Sequence, residues 1–202
     1  MLSYRIGDAP GTDPGQETPG ATTVHGKYLP SPPNDGRLWV MACGIVERVP
    51  SEIYTLWRDV ESTPLWRAHL HEVRLTGETT SHWTMGRGAR KLEWECEIVE
   101  DLPGKRIAWR SKQSDCDISD EVQFEPDEPK TGTVVTVVRQ FGRNKSSTAW
   151  EILTGRNPKQ ALIDDLRNFK TLVETGVALR PYPRKRRIGT LVDRLQESLS
   201  QT

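Results

Sequence analysis

Residues 165–176, which read DLRNFKTLVETG, decide the fold. Apolar residues in and just before this stretch recur at the spacing that places one stripe along a helix. They are Leu162, Leu166, Phe169 and Val173. Gly176 follows, where glycine permits a left-handed helix cap. Because a long run of alternating segments precedes it, the sequence predicts an amphipathic C-terminal helix laid across a curved antiparallel sheet, with a cavity between them.

The composition indicates one folded domain with tails. The 202 residues suit a domain of roughly 140 residues, which is large enough to bury its own core. Lysine plus arginine equal aspartate plus glutamate at 28 each, so the charge gives no argument for a nucleic-acid partner. The three cysteines are scattered, and no apolar run approaches the roughly 18 residues of a membrane span. We expect a soluble cytoplasmic protein with reduced thiols.

The two ends of the chain differ from its middle. Residues 1–36 are crowded with glycine and proline and lack apolar periodicity, so we predict a flexible tail. Residues 37–178 form the predicted folded domain. In residues 179–202, a basic linker with RKRR at 184–187 precedes an apolar helical stripe. The stripe consists of Ile188, Leu191, Val192, Leu195 and Leu199.

This C-terminal stripe has two interpretations. A basic linker followed by an amphipathic helix suits peripheral contact with an anionic membrane surface. The same helix suits docking on its own domain, or on a second copy in a homodimer. Val134 and Val138 favour docking, because strand parity puts them on the outer face of the sheet, where apolar side chains need cover.

The middle of the chain has the pattern of an antiparallel sheet. A strand rich in valine and isoleucine begins after Arg37 and ends at Pro50, and two short helices follow within residues 51–66. Six further strands are separated by glycine and proline turns, which predicts hairpins. They span residues 69–76, 80–85, 91–100, 106–112, 118–125 and 132–141.

Alternation within residues 92–99 separates a core face from a solvent face. Trp94, Cys96 and Ile98 share one side, and Glu93, Glu95 and Glu97 share the other. The next predicted strand can place its cations opposite the glutamates. We therefore interpret the glutamates as a solvated row and not as acid/base catalysts.

Six segments together carry a family resemblance. They are IYTLWRDVESTPLW (53–66), HLHEV (69–73), LEWECEIVEDLPGKRIAWRS (92–111), VQFEP (122–126), GTVVTVV (132–138) and DLRNFKTLVETG (165–176). Over residues 46–176 the chain resembles the START-like helix-grip superfamily, also called SRPBCC, and within it bacterial polyketide cyclase/dehydrase and coenzyme-Q-binding-like proteins. The resemblance implies an α+β fold of about seven strands wrapped on a long C-terminal helix. It also implies a cavity for a small hydrophobic molecule such as a lipid, quinone or polyketide.

Apolar and aromatic residues of the inner sheet face and of the helices are the predicted ligand contacts. They are Trp57, Trp66, Trp83, Trp94, Trp109, Val122, Phe124, Val137 and Phe169, with Asp120 and Arg139 as polar members. Large aromatic side chains also fill protein cores, and here a cavity wall is core surface as well.

Asp120 and Arg139 differ from the other predicted contacts because they are charged. Both continue the inward parity of apolar neighbours, where members of the resembled family commonly have small or apolar residues. If the last two strands pair as a hairpin, the two charges lie within one diagonal neighbour of each other. An ion pair that faces an apolar cavity is costly. Two roles stay open: a structural pair at the cavity end, or a polar anchor for a ligand.

No motif assigns a reaction to the chain. His69 and His71 form an H-x-H pair, but no cysteine or carboxylate at matching spacing completes a metal site. The sequence predicts no metal and no cofactor, and it leaves any catalytic residue unknown. We expect a binding module for a small hydrophobic molecule. The alternatives are a cyclase/dehydratase-type enzyme that uses Asp120, Arg139 or His69, and an interaction protein whose cavity is filled by tryptophan.

Overall fold

The computed structural model describes the central part of the chain and three short N-terminal strands. The described ranges are residues 37–86, 91–112, 117–128, 131–142 and 157–178, with the backbone of residues 2–7, 23–24 and 27–28. The predicted C-terminal linker and helix lie outside the described residues, as does most of the predicted N-terminal tail. The division of the chain at residues 36 and 178 therefore stays a prediction.

Antiparallel strands make up most of the fold. They are β1 (Leu2–Gly7), β2 (Thr23–Val24), β3 (Lys27–Tyr28), β4 (Leu38–Val46), β5 (Leu70–Leu75), β6 (Thr80–Met85), β7 (Leu92–Leu102), β8 (Arg106–Ser111), β9 (Ile118–Asp127) and β10 (Gly132–Phe141). One eight-stranded sheet has the order β1, β4, β10, β9, β8, β7, β6, β5, while β2 pairs with β3. The predicted seven-strand sheet, β4 with the meander β5 to β10, is confirmed.

Strand β1 is an addition at the edge of this sheet. It pairs antiparallel with β4, which differs from the flexible tail expected over residues 1–36. Its sequence, LSYRIG, alternates apolar with other residues, and such alternation is a short strand pattern. The glycine- and proline-rich residues that follow obscure this pattern in the sequence.

The helices have the predicted positions. Two short ones, α1 (Pro50–Arg58) and a 3₁₀ helix (Val60–Leu65), connect β4 to β5. The long helix α2 (Pro158–Thr175) ends at Gly176, which takes a left-handed conformation with φ 71° as predicted. At its other end, the Asn157 side chain accepts a hydrogen bond of 3.1 Å from the Gln160 backbone N–H. No described helix is long and apolar enough to cross a membrane.

The core lies between α2 and the inner face of the sheet. In β7, Trp94 is buried and Glu93 is exposed, and Trp109 and Val122 are buried on the neighbouring strands. The predicted alternation is therefore confirmed. The stripe of α2 that the sequence predicts to face the core, Leu162, Leu166, Phe169 and Val173, is buried as well.

The glutamate row on the outer face of β7 has mixed partners. Glu97 lies 3.8 Å from Lys112 on the next segment, as the prediction of opposing cations requires. Glu93 and Glu95 instead flank His82 on β6, at 3.3 and 2.7 Å from its two ring nitrogens. The expected cations of β8 therefore account for only part of the row.

Candidate functional site

Asp120 on β9 and Arg139 on β10 lie directly opposite each other across the hairpin. Arg139 donates two hydrogen bonds to the carboxylate, from Nε to Oδ1 at 2.8 Å and from Nη2 to Oδ2 at 2.9 Å. The predicted proximity is confirmed, and the two residues are closer in register than diagonal neighbours. A two-point contact of this kind fixes the orientation of both side chains.

Two further charges complete a buried group. Arg67, which follows the 3₁₀ helix, donates from Nη2 to Asp120 Oδ2 at 2.7 Å. Asp165 on α2 accepts from Arg139 Nη1 at 3.3 Å, and its Oδ2 lies 3.6 Å from Arg67 Nε. These four residues are termed the charged cluster, and their side chains are only 2% to 9% exposed. The charged cluster thus joins the sheet, the segment after the 3₁₀ helix and α2 through two arginines and two aspartates.

Burial and pairing act in opposite directions on the two carboxyls of the charged cluster. Burial by itself raises the pKa of Asp120, but the charges of Arg139 and Arg67 outweigh it and hold that pKa below its usual range. Burial raises the pKa of Asp165 above its usual range, although the charges of the same two arginines act to lower it. The contacts explain the difference, because Asp120 accepts three guanidinium hydrogen bonds and Asp165 accepts one long one. Asp165 is therefore the carboxyl that takes up a proton more readily.

Indole rings surround the guanidinium of Arg67. Its central carbon lies 4.9, 5.9 and 5.8 Å from the ring centroids of Trp66, Trp83 and Trp109, distances at which an indole face attracts a cation. The Nε–H of Arg67 is buried and forms no hydrogen bond in the described part of the chain, and the carboxylate oxygen Asp165 Oδ2 lies 3.6 Å away. A buried donor without an acceptor is costly. A bound acceptor atom at this position would therefore stabilise the site.

A second aromatic group packs beside these indoles. The rings of Trp57, Trp66 and Phe169 have centroids 4.4 to 5.1 Å apart. The Phe124 ring packs edge-on at 6.2 Å from Trp57 and at 6.1 Å from Tyr54. The Nε1–H of Trp57 is another buried donor without an acceptor among the described residues. The interior next to the charged cluster is thus aromatic, with two unsatisfied donors.

The eleven predicted ligand contacts all lie in the buried interior. Aromatic contacts join Trp57, Trp66, Phe124 and Phe169 in one group, and Trp83, Trp94 and Trp109 in another. Val122 and Val137 pair across the hairpin, two residues along each strand from Asp120 and Arg139. Burial suits core packing as well as a cavity wall, so a role for these residues in ligand binding stays a prediction.

A groove of about 690 Å³ lies mainly along outer-face residues of β7 to β10, and Trp109 and Asp120 also line it. It is lined by apolar Val99, Ala108 and Val138 and by charged residues of both signs, among them Arg110 and Glu121. A bulge in β7 precedes β8 at this point, and Val99 is half exposed. Strand parity predicts only a solvated face here, so the sequence did not anticipate the groove.

The histidine pair lies outside this interior. His69 and His71 flank the start of β5, and both side chains are exposed. Within the described ranges, no three histidine, cysteine, aspartate or glutamate side chains meet in a way that would hold a metal ion. Of the polar residues that the sequence suggested for an enzyme, Asp120 and Arg139 are therefore interior, and His69 is not.

A comparison with protein families bears on this arrangement. The family model described as "Polyketide cyclase / dehydrase and lipid transport" matches residues 46–154, which is more than half of the chain. The chain belongs to this polyketide cyclase/dehydrase and lipid transport family. The matched residues include Arg67, Asp120 and Arg139 of the charged cluster. Because the family description joins catalysis with transport, membership alone does not choose between them.

Solved structures share the START-like helix-grip fold of this family member. A Deinococcus radiodurans protein is 33% identical, with 68% of this chain and 98% of that protein covered and a TM-score of 0.56. A START superfamily protein from Mycobacterium smegmatis is 11% identical (65% and 97% covered, TM-score 0.51). The Zhui aromatase/cyclase from Streptomyces sp. R1128 is 16% identical (68% and 96% covered, TM-score 0.51). At such identities the last two likenesses concern the fold alone.

A curated relative of this polyketide cyclase/dehydrase-family chain is an uncharacterized 17.2 kDa protein from Streptomyces lincolnensis. It is 24% identical over 71 residues, which cover 35% of this chain and 47% of the relative. The match therefore spans about half the length of that protein. It adds no activity to the family assignment.

Arg67 and Asp165 are the members of the charged cluster that the sequence prediction missed. Asp165 lies three residues after Leu162 and four before Phe169, so it falls on the apolar stripe of α2. A carboxylate on that stripe was the available signal, because buried charges are almost always paired. Arg67 had no such signal, since it follows a short 3₁₀ helix whose placement depends on tertiary contacts.

Proposed function

We propose that this protein binds a small hydrophobic molecule between the sheet and α2, and that the charged cluster anchors the polar end of that molecule. The observation that carries the proposal is the environment of Arg67. Its guanidinium is buried among three indole rings, and its Nε–H forms no hydrogen bond among the described residues, with Asp165 Oδ2 at 3.6 Å. An acceptor atom on a ligand would satisfy this donor, while the indoles would contact an apolar or aromatic body.

The chemistry of the charged cluster favours a ligand whose polar end is an oxygen acceptor. Guanidinium groups donate hydrogen bonds and never accept them. Asp120 already accepts three hydrogen bonds, whereas Asp165 is held by one at 3.3 Å. Each guanidinium has five N–H donors, and these four hydrogen bonds use only some of them. Arg67 and Arg139 can therefore also donate to a carbonyl, hydroxyl or carboxyl oxygen of a ligand. Lipids, quinones and polyketides all carry such oxygens.

Native mass spectrometry of the purified full chain tests the proposal. We expect a non-covalent adduct of one small molecule that is released on denaturation. In titrations followed by tryptophan fluorescence, Arg67→Met should bind a fatty acid or a naphthoquinone at least about tenfold more weakly, which corresponds to the loss of about 1.5 to 3 kcal/mol for a hydrogen bond to a charged group. A thermal melt of each variant confirms that it is folded.

Lys112→Met is the matched control for this titration, because Lys112 is an exposed cation on the outer face of the sheet. It should bind the same probes as the original chain does. A folded protein without an adduct and without affinity for either probe would contradict the proposal. If both variants weakened probe binding equally, the affinity would depend on the net charge of the protein and not on the charged cluster.

A second candidate function is that of an interaction protein with a filled interior. The contact distances between Trp57, Trp66 and Phe169 favour it, because these rings occupy space that a ligand would need. In this case native mass spectra show the bare chain, and amide hydrogen exchange of the inner strands does not respond to any apolar probe.

The raised pKa of Asp165 favours a third candidate, a cyclase/dehydratase-type enzyme. Such chemistry needs an interior group that exchanges protons, and Asp120 is unsuitable because its two arginines keep it ionised. Asp165→Asn would then retain binding of an aromatic polyketide analogue but lose its turnover. Turnover that survives this substitution would exclude Asp165 as the proton carrier.

A further inference from the structure

The outer face of the β4 and β10 pair carries a second apolar layer. Met41 and Cys43 on β4 are each 1% exposed, and Val134 and Val138 on β10 are 4% and 7% exposed. These four residues are termed the outer patch. They have the strand parity opposite to that of the core residues beside them, and none of them belongs to the core cluster. The sheet is therefore buried on two faces at this point.

The described helices pack on the inner face of the sheet, opposite the outer patch. The buried apolar residues of α1, the 3₁₀ helix and α2 all belong to the core cluster on the inner face. The adjacent strands β1 and β9 flank the outer patch within the sheet. The outer patch is nevertheless as buried as the core within a single chain. The helices of the core do not account for this burial, so a further segment is needed to explain it.

The chain leaves α2 beside the outer patch. Lys170 Nζ donates to the Ile45 carbonyl at 2.8 Å, and Glu174 accepts from the Glu47 backbone N–H at 2.8 Å. The C-terminal end of α2 thus lies at the end of β4 where Ile45 pairs with Val134. Residues 179–187 can extend over roughly 30 Å, which suffices to pass around the end of β4 to the outer face.

Residues 188–199 match the outer patch in polarity and length. Their apolar residues form one stripe, as described above, and a helix of this length measures about 18 Å. The strand distance from Val134 to Val138 is about 13 Å. The linker carries RKRR at 184–187, and Glu121 and Glu125 of β9 share the outer face, where Glu121 also pairs with Arg106 at 3.4 Å.

Two other segments fit the outer patch less well. Residues 8–36 contain few apolar side chains and no periodic stripe. Residues 143–156 connect β10 to α2. The described residues that flank them lie at the far end of the sheet, because Asp165 in the first half of α2 contacts Arg139 near the end of β10. A segment anchored there at both ends would have to cross the patch and return.

We propose that residues 188–199 form an amphipathic helix that docks its apolar stripe on the outer patch of the same molecule. The occupant is thus a segment of this chain, held in place by apolar burial and by attraction between the basic linker and the acidic outer residues of β9. This docking gives the domain a third layer, with the groove lined by Val138 at its border.

Two buried thiols allow a direct test. Cys43 belongs to the outer patch and Cys96 to the core. In a Cys116→Ser background, a chain that ends at Ala178 should react with the thiol reagent DTNB at Cys43 at least about tenfold faster than the full chain does, because the local cover is gone. Cys96 should stay protected in both chains, which also shows that both are folded.

Point variants of the full chain keep the proposal testable if the shortened chain does not fold. Leu191→Asp and Leu195→Asp should each accelerate the labelling of Cys43. Thr190→Asp, on the opposite side of the proposed helix, is the matched control and should leave labelling unchanged. A peptide of residues 184–202 added to the shortened chain should restore protection. Equal protection of Cys43 with and without the C-terminal segment would overturn the proposal. Protection that rises with protein concentration would also overturn it, because the cover would then come from a second copy of the chain.

Discussion

Arg139 and Asp120 share two hydrogen bonds, of 2.8 and 2.9 Å, directly across the β9 and β10 hairpin, and the two residues are only 5% and 2% exposed. A pair so deeply buried is not solvated at a cavity mouth. When one partner of such a pair is removed, the other is left as an uncompensated buried charge. The structural role of the charged cluster is therefore measurable separately from any role in binding.

Arg139→Met is expected to lower the free energy of unfolding by about 3 to 5 kcal/mol, because Asp120 then keeps only Arg67 as a direct partner. Urea denaturation measures the loss. Arg139→Met combined with Asp120→Leu should recover most of it, since no carboxylate is then stranded. Arg74→Met, which removes an exposed cation from β5, is the control and should change stability by less than about 1 kcal/mol. A single variant as stable as that control would speak against the structural role.

Asp165 is expected to give the stability of the fold a pH dependence of defined sign. Burial raises the pKa of Asp165 in the folded chain. In the unfolded chain an aspartate has a pKa of about 3.9. The contribution of Asp165 is therefore most favourable at acidic pH and falls as the pH rises through the folded pKa. The stability of the original chain minus that of Asp165→Asn should decrease from about pH 4 towards neutrality.

The neighbouring Asp164, which pairs with Arg167 on the exposed face of α2, supplies the control for that pH series. Asp164→Asn removes a carboxylate from the same helix turn without touching the charged cluster. If the difference measured for Asp165→Asn instead grew with pH, the carboxyl would be stabilised in its ionised form, and the sign inferred from burial would be wrong.

The capping glycine of α2 offers a local test of backbone conformation. Gly176 has φ 71°, a region that costs residues with a Cβ atom about 1 to 2 kcal/mol. Gly176→Ala should lower the free energy of unfolding by about that amount, and Gly176→Asn by less, because asparagine tolerates left-handed conformations. Equal effects of the two substitutions would show that the conformation at this cap does not govern the loss.

Sequence reasoning recovered those parts of the fold that depend on short-range periodicity. Alternation in β7 predicts that Trp94 faces inward, and the parity of β9 and β10 predicts the same for Asp120 and Arg139. Turn residues delimited the meander, and Gly176 delimited α2. These features are local, because a period of two or of 3.6 residues directly determines which face a side chain occupies.

What the sequence did not reveal depends on non-local contacts. Strand β1 is stabilised by pairing with β4, more than thirty residues away along the chain, and Arg67 is positioned by indoles from other elements. Neither relationship has a periodic signature. Asp165 was detectable in principle as a charge on an apolar stripe, but only the fold shows that its partners are Arg139 and Arg67.

Phe169 is the aromatic side chain that α2 contributes to the core. Phe169 is 1% exposed, and its ring centroid lies 4.4 Å from that of Trp57 and 5.1 Å from that of Trp66. Phe169→Ala should therefore lower the free energy of unfolding by about 3 to 5 kcal/mol, through lost burial and the cavity that remains. Arg167→Ala, on the exposed face of the same helix, is the control and should cost less than about 1 kcal/mol.

The cavity created by Phe169→Ala also distinguishes a filled interior from an open one. An apolar void of this size stays dry and can take up a small apolar molecule such as benzene. If the rings normally fill the interior, benzene should raise the melting temperature of Phe169→Ala and leave that of the original chain unchanged. If benzene raises both melting temperatures equally, the original chain already has space next to Trp57 and Trp66, as the binding function requires. A loss of stability below about 1 kcal/mol in Phe169→Ala would contradict the packing itself.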